Sequence, residues 1–439
     1  MRRFWSDRKG NVAVVFALAV VPVIGGLGAA IDYSMANSYR TDIQKALDST
    51  ALALSKLLPL DEAKMNEVGM QYFLASLGNH DLTNLALDIV PADGKVTLHA
   101  TGDYTPKLAN LFGASSFQVG ARAEAVWSMG KVEVVLALDN TGSMAGEKIA
   151  KLKEGAQKLV DILKNSARKE GDAKIGIVPY TVQVRVDHTA FAAATWWRDG
   201  YCNRSQYKTE DDCEDEGHTW RQTNSASWEG CLSERDQKNE DNNWISYDAL
   251  GTAVDPANPD TKFPRAWNNS DRCPTATILP LTDVHPSSGY TAITNKISAM
   301  TADGNTNVTI GAVWGWHLLD DIEPFTEGRP YQTKDVQKYL ILMTDGDNTE
   351  SRFSTSETSI NNRTKAVCDN IKALPQNTAN VPATPAIKIW SIRVINGNAD
   401  LLKGCATNSS MYVSVSDANQ LNAVFTAIGS EIASLHLAK

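Results

Sequence analysis

Histidine is scarce in this chain, seven among 439 residues, and no two of them form the H-E-x-x-H pair of a zinc protease. There is no G-x-S-x-G turn and no P-loop, so the sequence offers neither an exposed nucleophilic serine nor a phosphate cradle. The six cysteines are far apart, the nearest two separated by eleven positions, which leaves no C-x-x-C pair for a structural zinc site. Basic residues are outnumbered, 42 Lys and Arg against 51 Asp and Glu, and a net charge of −9 argues against a nucleic-acid partner because such a surface repels phosphate. A mean hydropathy of −0.27 excludes a polytopic membrane protein. What the chain does have is bulk: 43% apolar residues supply ample core, and the length fits two or three domains.

Long apolar runs are also few, with one exception. Val12 to Ile31 is an unbroken stretch of 20 uncharged, mostly apolar residues, about 30 Å as a helix and so the thickness of a bilayer core. Arg2, Arg3, Arg8 and Lys9 precede it against the single acid Asp7, and Asp32 follows. The positive-inside rule then keeps the N-terminus in the cytoplasm and carries the bulk of the chain across the membrane. Gly28-Ala29-Ala30 offers small residues for a signal-peptide cut, but the run exceeds the usual signal core, and a retained single-pass anchor is expected. Pro22 should kink it. All six cysteines, Cys202, Cys213, Cys231, Cys273, Cys368 and Cys405, lie beyond the span, as disulfides in a translocated segment require. Locality groups the first four together, with three pairings open, and pairs Cys368 with Cys405.

Beyond the span, Ala36, Tyr39, Ile43, Ala46, Leu47, Leu54, Leu57 and Leu58 fall at helical spacing, so the anchor continues as one long amphipathic helix until Pro59. A second helix is expected over 61–77, then strands at 85–90, 95–100 and 118–127, with Ala92-Asp93-Gly94 as a turn. From Lys131 the texture becomes alternating buried strands and helices. Val134 to Leu138, Ile175 to Tyr180, Tyr339 to Met343, Ile387 to Val394 and Met411 to Val415 read as strands covered on both faces. Ile149, Leu152, Ala156, Leu159 and Leu163 mark one helix, and a last helix starts near Asp417. This alternation implies an α/β domain, a mostly parallel sheet sandwiched by helices. The expected division is 1–33 for tail and anchor, 34–130 for a helix and small sheet, and 131–439 for the α/β domain. Within the last, residues about 188–286 break the pattern. Six of the eleven tryptophans (196, 197, 220, 228, 244 and 267) and four of the six cysteines lie there, as in a disulfide-stapled inserted subdomain with its own small core.

The sharpest chemical signal is Asp139-Asn140-Thr141-Gly142-Ser143, directly after the first buried strand. Loops at the carboxyl ends of parallel strands are where open α/β sheets bind ligands, and here one carboxylate and two hydroxyls alternate so that their oxygens can converge on a hard cation. A second carboxylate follows another buried strand in Thr344-Asp345-Gly346, and a further hydroxyl sits in Gly304-Asn305-Thr306. These three elements in order resemble the metal-ion-dependent adhesion site of von Willebrand factor A domains. The resemblance implies Asp139, Thr141, Ser143, Thr306 and Asp345 as the ligand positions for Mg²⁺, with Mn²⁺ and Ca²⁺ the other oxygen-seeking candidates; Thr141 replaces a more usual serine and keeps the hydroxyl. An EF-hand beginning at Asp345 is excluded, since Glu350 stands where its glycine belongs and Ser356 where its glutamate belongs. Glu210 to Glu216, six acids around Cys213, reads as a solvated face, and Trp314 and Trp316 as core.

A narrower resemblance spans most of the chain. Arg8-Lys9-Gly10-Asn11 before an apolar span ending in Asp32, Trp314-Gly315-Trp316, and Pro324-Phe325 with Glu327-Gly328 beyond resemble TadG-like proteins of tight-adherence (Tad/Flp) pilus assembly, in which an anchor and pilin-like part precede a von Willebrand A domain. Val15 stands where prepilins carry a glutamate five residues after the cleavage glycine, so prepilin processing is not expected. The resemblance implies a bacterial envelope protein, anchored once in the inner membrane with its bulk periplasmic or surface-exposed. It further implies a protein partner that donates an Asp or Glu carboxylate to the bound cation, the partner being another pilus or secretion component or a surface receptor. A metal-dependent envelope hydrolase and a purely structural pilus-base protein are the alternatives. No paired base or nucleophile accompanies the metal motif, so an enzyme is not expected.

Overall fold

The computed structural model describes residues 11–57, 62–78, 81–92, 95–113, 115–126, 130–202, 204, 207, 210–221, 228–240, 243–266, 272–333, 335–375 and 385–437. They fall into two compact units, Met1–Ser128 with Leu437–Lys439, and Met129–His436.

The first unit begins with one helix, α1 (Asn11–Leu57), of 47 residues and so about 70 Å long. Its two halves have different surroundings. Phe16 and Leu18 are 68% and 71% exposed, and Val15, Val21, Val23, Ile24 and Leu27 are exposed with them. Apolar on all sides, this half is long and apolar enough to cross a membrane. Farther along, only one stripe is buried: Ile43, Leu47 and Leu54 pack with Phe73 of α2 (Glu62–Leu77). The same cluster takes in Val96, Leu98 and Ala100 of the antiparallel sheet β1 (Leu82–Ala92), β2 (Lys95–Tyr104) and β3 (Phe117–Val126). Asp32 closes the unit at the end of the apolar run. Its buried carboxylate accepts from the backbone N–H of Lys107 (3.0 Å), Leu108 (2.9 Å) and Ala109 (2.6 Å) and from the Tyr104 hydroxyl (3.2 Å). The expected end of α1 near Pro59 and the turn residues Asp93 and Gly94 lie outside the described residues.

The second unit is an α/β layer structure. In chain order it runs β4 (Lys131–Asp139), α3 (Glu147–Ser166), β5 (Ala173–Tyr180), β6 (Leu279–Asp283), α4 (Ser287–Ala299), α5 (Val308–Leu319), β7 (Val336–Thr344), α6 (Glu357–Ala373), β8 (Ile387–Val394), α7 (Ala399–Cys405), β9 (Tyr412–Val415) and α8 (Leu421–Leu437). The sheet order is β6-β5-β4-β7-β8-β9, with β6 alone antiparallel to its neighbour. The strand residues alternate between two covered faces. Val134, Leu136 and Leu138 pack under α3, α4 and α8, whereas Val135 and Ala137 pack under α5 and α6. Glu133, near the start of β4, is fully buried and bonded to Lys338 (2.6 Å) and Arg329 (2.9 Å).

Two features of the 188–286 region differ from the sequence expectation. Leu279–Asp283 is the edge strand of the main sheet, where Pro280 is tolerated because edge positions need not donate to a neighbour. Trp196, Trp197 and Trp228 do not build a separate core. They join Trp314, Phe263 and Phe325 in the layer that covers the second face of the sheet. The region is too rich in polar residues to bury a core of its own, so its aromatic rings complete the larger one. Disulfides join Cys202 to Cys213, Cys231 to Cys273, and Cys368 to Cys405, selecting one of the three open pairings.

Candidate metal centre

From β4 the chain moves outward through β5 to β6, then returns to the other side of β4 and moves outward again through β7, β8 and β9. The direction reverses between β4 and β7, so the loops leaving their carboxyl ends diverge and open a crevice, the usual ligand position in such sheets. Asp139 is the last residue of β4, and Asp345 directly follows β7. The connections are stitched together by backbone bonds. Asn140 N donates to Tyr180 O (2.9 Å), Gly142 N to Gly304 O (2.9 Å), Asp303 N to Asn140 O (2.8 Å) and Thr349 N to Thr306 O (2.9 Å).

The sequence-derived positions meet there. Thr141 Oγ1 lies 3.0 Å from Ser143 Oγ, and Ser143 Oγ donates to Asp345 Oδ1 at 2.5 Å. Thr306 reaches the same place: a Cβ added to Gly346 would lie 3.3 Å from Ser143 Oγ and 3.6 Å from Thr306 Oγ1. Gly346 thus leaves open a space that both hydroxyls border, and any side chain there would fill it. Asp139 is oriented from two sides, Oδ1 accepting from Thr141 N (2.8 Å) and Oδ2 from Thr344 Oγ1 (2.6 Å). Asp139, Thr141, Thr306 and Asp345 are buried, and Ser143 is exposed at the mouth.

Burial of Asp139 and the nearby charge of Asp345 push its carboxyl up to about 6. The same burial, reinforced by the Asp139 charge, raises the Tyr180 phenol, whose hydroxyl donates to Met343 O at 2.9 Å and braces the end of β7. Asp139 and Asp345 are both buried and near enough for the charge of one to raise the carboxyl of the other, a cost that a bound cation would offset. The donors are all oxygen, the set a hard divalent ion takes, and neighbouring ligands of an octahedral ion with 2.0–2.1 Å bonds are about 2.9 Å apart, close to the Thr141–Ser143 separation. The residues therefore fit the group. Among the described residues no cluster of three or more His, Cys, Asp or Glu is placed to hold a metal; this crevice would rely on two carboxylates completed by hydroxyls.

Two contributors escaped sequence reasoning. Lys148, in the first turn of α3, places Nζ 2.5 Å from Asp345 Oδ2 and 3.1 Å from Ser143 O. A cation in the first turn opposes the helix dipole, and that was the available signal of a nearby acid. Thr344 carried no signal beyond its place before Asp345.

Comparison with known proteins gives no match among curated proteins. Similar solved structures include the pilus adhesin SpaC from Lactobacillus rhamnosus GG, at 10% identity and TM-score 0.35, covering 82% of this chain and 35% of that one. Others are a von Willebrand factor type A protein from Catenulispora acidiphila (11%, TM-score 0.34, 81% and 51%) and the vWF domain of the type V pili tip protein Mfa5 from Porphyromonas gingivalis (14%, TM-score 0.32, 69% and 95%). This chain thus spans about a third of the first and half of the second. At the N-terminus, residues 10–54 match the Tad family model, described as Flp pilus-assembly TadE/G-like, and the matched residues end within α1.

Proposed function

We propose that this protein is an envelope-anchored component of a Tad-type pilus system that grips a protein partner through a divalent cation. Asp139, Thr141, Ser143, Thr306 and Asp345 would hold the ion, Mg²⁺ being the favoured species, and a partner's Asp or Glu carboxylate would complete its coordination. Bound, the cation would supply a positive centre in a crevice where two buried acids meet only one lysine ammonium, that of Lys148. The observation that carries this reading is the convergence of three loops' oxygens at the switch point of the sheet, around an Asp139 carboxyl raised to about 6. The Tad match over residues 10–54 and the exposed apolar half of α1 support anchoring, with the N-terminus cytoplasmic and the bulk periplasmic or beyond.

Cross-linking in the native envelope tests it. A specific protein adduct is expected for wild type, lost on chelation and lost in Asp139→Ala while the three disulfides remain intact. An adduct indifferent to both would contradict the reading. A reporter active only in the cytoplasm, fused after Lys439, should be silent; activity there would overturn the orientation.

A further inference from the structure

A second polar space lies beside the metal loop. It is a pocket of about 410 Å³ lined by Arg204, Arg221, Arg272, Arg352, Glu350 and Phe353, among others. Four arginines and one carboxylate line it, in a protein whose net charge is −9; Arg272 is paired with Glu350 and Arg352 is buried against Asp236, while Arg204 is exposed and Arg221 partly so. Concentrating arginine in one concavity raises the local potential, and the planar guanidinium fork matches a carboxylate in two parallel hydrogen bonds.

The pocket is built rather than incidental. The 188–286 region supplies three of its arginines, and two disulfides hold them. Cys202, bonded to Cys213, lies two residues before Arg204, and strand pairing sets Tyr201 opposite Arg221. Cys231–Cys273 fixes the residue after Arg272, whose carbonyl also accepts from Thr181 Oγ1 (2.6 Å) and Gln183 N (2.8 Å). Arg352 is buried and locked, donating to Asp236 Oδ1 (2.6 Å), Glu234 O (2.8 Å) and Cys202 O (3.2 Å).

The pocket is also joined to the metal loop. Glu350, ion-paired with Arg272, accepts from Asn305 Nδ2 at 2.7 Å, and the next residue along that loop is Thr306. Thr306 N donates to Thr349 Oγ1 (2.9 Å), and Arg352 is three residues beyond Thr349, a reach of at most about 11 Å.

We propose that this pocket receives a second acidic side chain of the same partner segment whose first carboxylate binds the cation. The ligand class is a short acidic peptide stretch, its two acids about three to five residues apart if extended. The inference rests on the proposed function for the first contact only; the arginine contact requires no metal.

The test uses the full chain in detergent and a labelled oligo-glutamate peptide, with and without Mg²⁺, alongside a calorimetric Mg²⁺ titration. The variant is Arg204→Gln with Arg221→Gln, neither of which is among the five proposed metal ligands. Unchanged Mg²⁺ uptake with peptide affinity at least about tenfold weaker is the expected result, the effect of losing charge-assisted bonds. Arg221→Lys, which keeps the charge and loses the fork, should fall between and serves if the double variant misfolds. Should wild type take up no Mg²⁺, the metal reading fails, and arginine-dependent peptide binding in chelator still supports the pocket. Peptide binding insensitive to all these variants, or dextran sulfate bound through the arginines while oligo-glutamate is not, would overturn the inference.

Discussion

Lys148 Nζ lies 2.5 Å from Asp345 Oδ2, bridging the first turn of α3 to the loop after β7 across 197 residues of sequence. The carboxylate is fully buried and the lysine side chain 22% exposed, so a tethered ammonium stands at the edge of the crevice proposed to hold a cation. The lysine compensates part of the charge that would attract a divalent ion.

Removing that compensation should tighten metal binding. Lys148→Met keeps the apolar stem and deletes the charge. Coulomb attraction at a few ångströms is worth up to about 4 kcal/mol at the effective dielectric of a protein surface, and solvent at the mouth reduces it. Mg²⁺ affinity is expected to rise about tenfold by calorimetric titration. Weaker uptake would show that the lysine chiefly orients Asp345.

Asp139 gives the metal-free protein a defined pH response. Its folded value of about 6 exceeds the 3.8 of an unperturbed aspartate, so the fold favours the protonated form. The associated stability is fully present below about pH 3.8 and is lost as pH rises through about 6, a change of order 3 kcal/mol. Unfolding in chelator should thus show this group opposing stability as the pH rises across that window, and Asp139→Asn should remove that component. With Mg²⁺ present the trend should reverse, because uptake requires the carboxylate. Identical profiles for wild type and Asp139→Asn in chelator would refute it.

Cys231–Cys273 closes the larger loop in the region that completes the second face of the sheet, 42 residues apart. The chain-entropy relation assigns such a closure about 4 kcal/mol. Cys231→Ser with Cys273→Ser should lower stability by up to that amount in calorimetry, and peptide mapping of the non-reduced wild type should recover the Cys231–Cys273 and Cys202–Cys213 fragments. Scrambled pairs in the wild-type map would contradict the assignment.

In the first unit, Asp32→Ala removes one carboxylate from three backbone N–H groups and a tyrosine hydroxyl. Leaving buried donors unpaired costs about 1–3 kcal/mol each at most, and water can satisfy some of them. The amides of Lys107, Leu108 and Ala109 should exchange faster by at least about tenfold, with the amides of β4 unchanged. Equal exchange in wild type and variant would show that the carboxylate does not hold this segment.

The strands of the main sheet were legible because burial on both faces writes them as continuous apolar runs, as in Val134 to Leu138. Helix α5 was not: all twelve residues from Val308 to Leu319 are buried, so no amphipathic period marks it. Edge strand β6 was hidden by Pro280 and by having a single buried residue, Leu281. The tryptophans of the 188–286 region announced a core but not whose core, since composition carries no address. At the candidate metal centre, the alternating oxygens of Asp139, Thr141 and Ser143 are local and could be read directly. Thr306 and Asp345 needed the family pattern. Lys148 and Thr344 act through contacts that only the folded sheet creates.

The central claim is that five oxygen-bearing residues hold a divalent cation. Calorimetric titration of the intact protein with Mg²⁺, wild type against Asp139→Ala and Asp345→Ala, tests it most directly. The account predicts saturable uptake by wild type, none by either variant, and a weaker, partly retained response in Thr306→Ala. Saturating Mg²⁺ at a hundredfold excess over Kd should also stabilise wild type alone by about 2.7 kcal/mol. If wild type takes up no divalent ion, or Asp139→Ala binds it equally well, the crevice is a set of loop caps and not a metal centre.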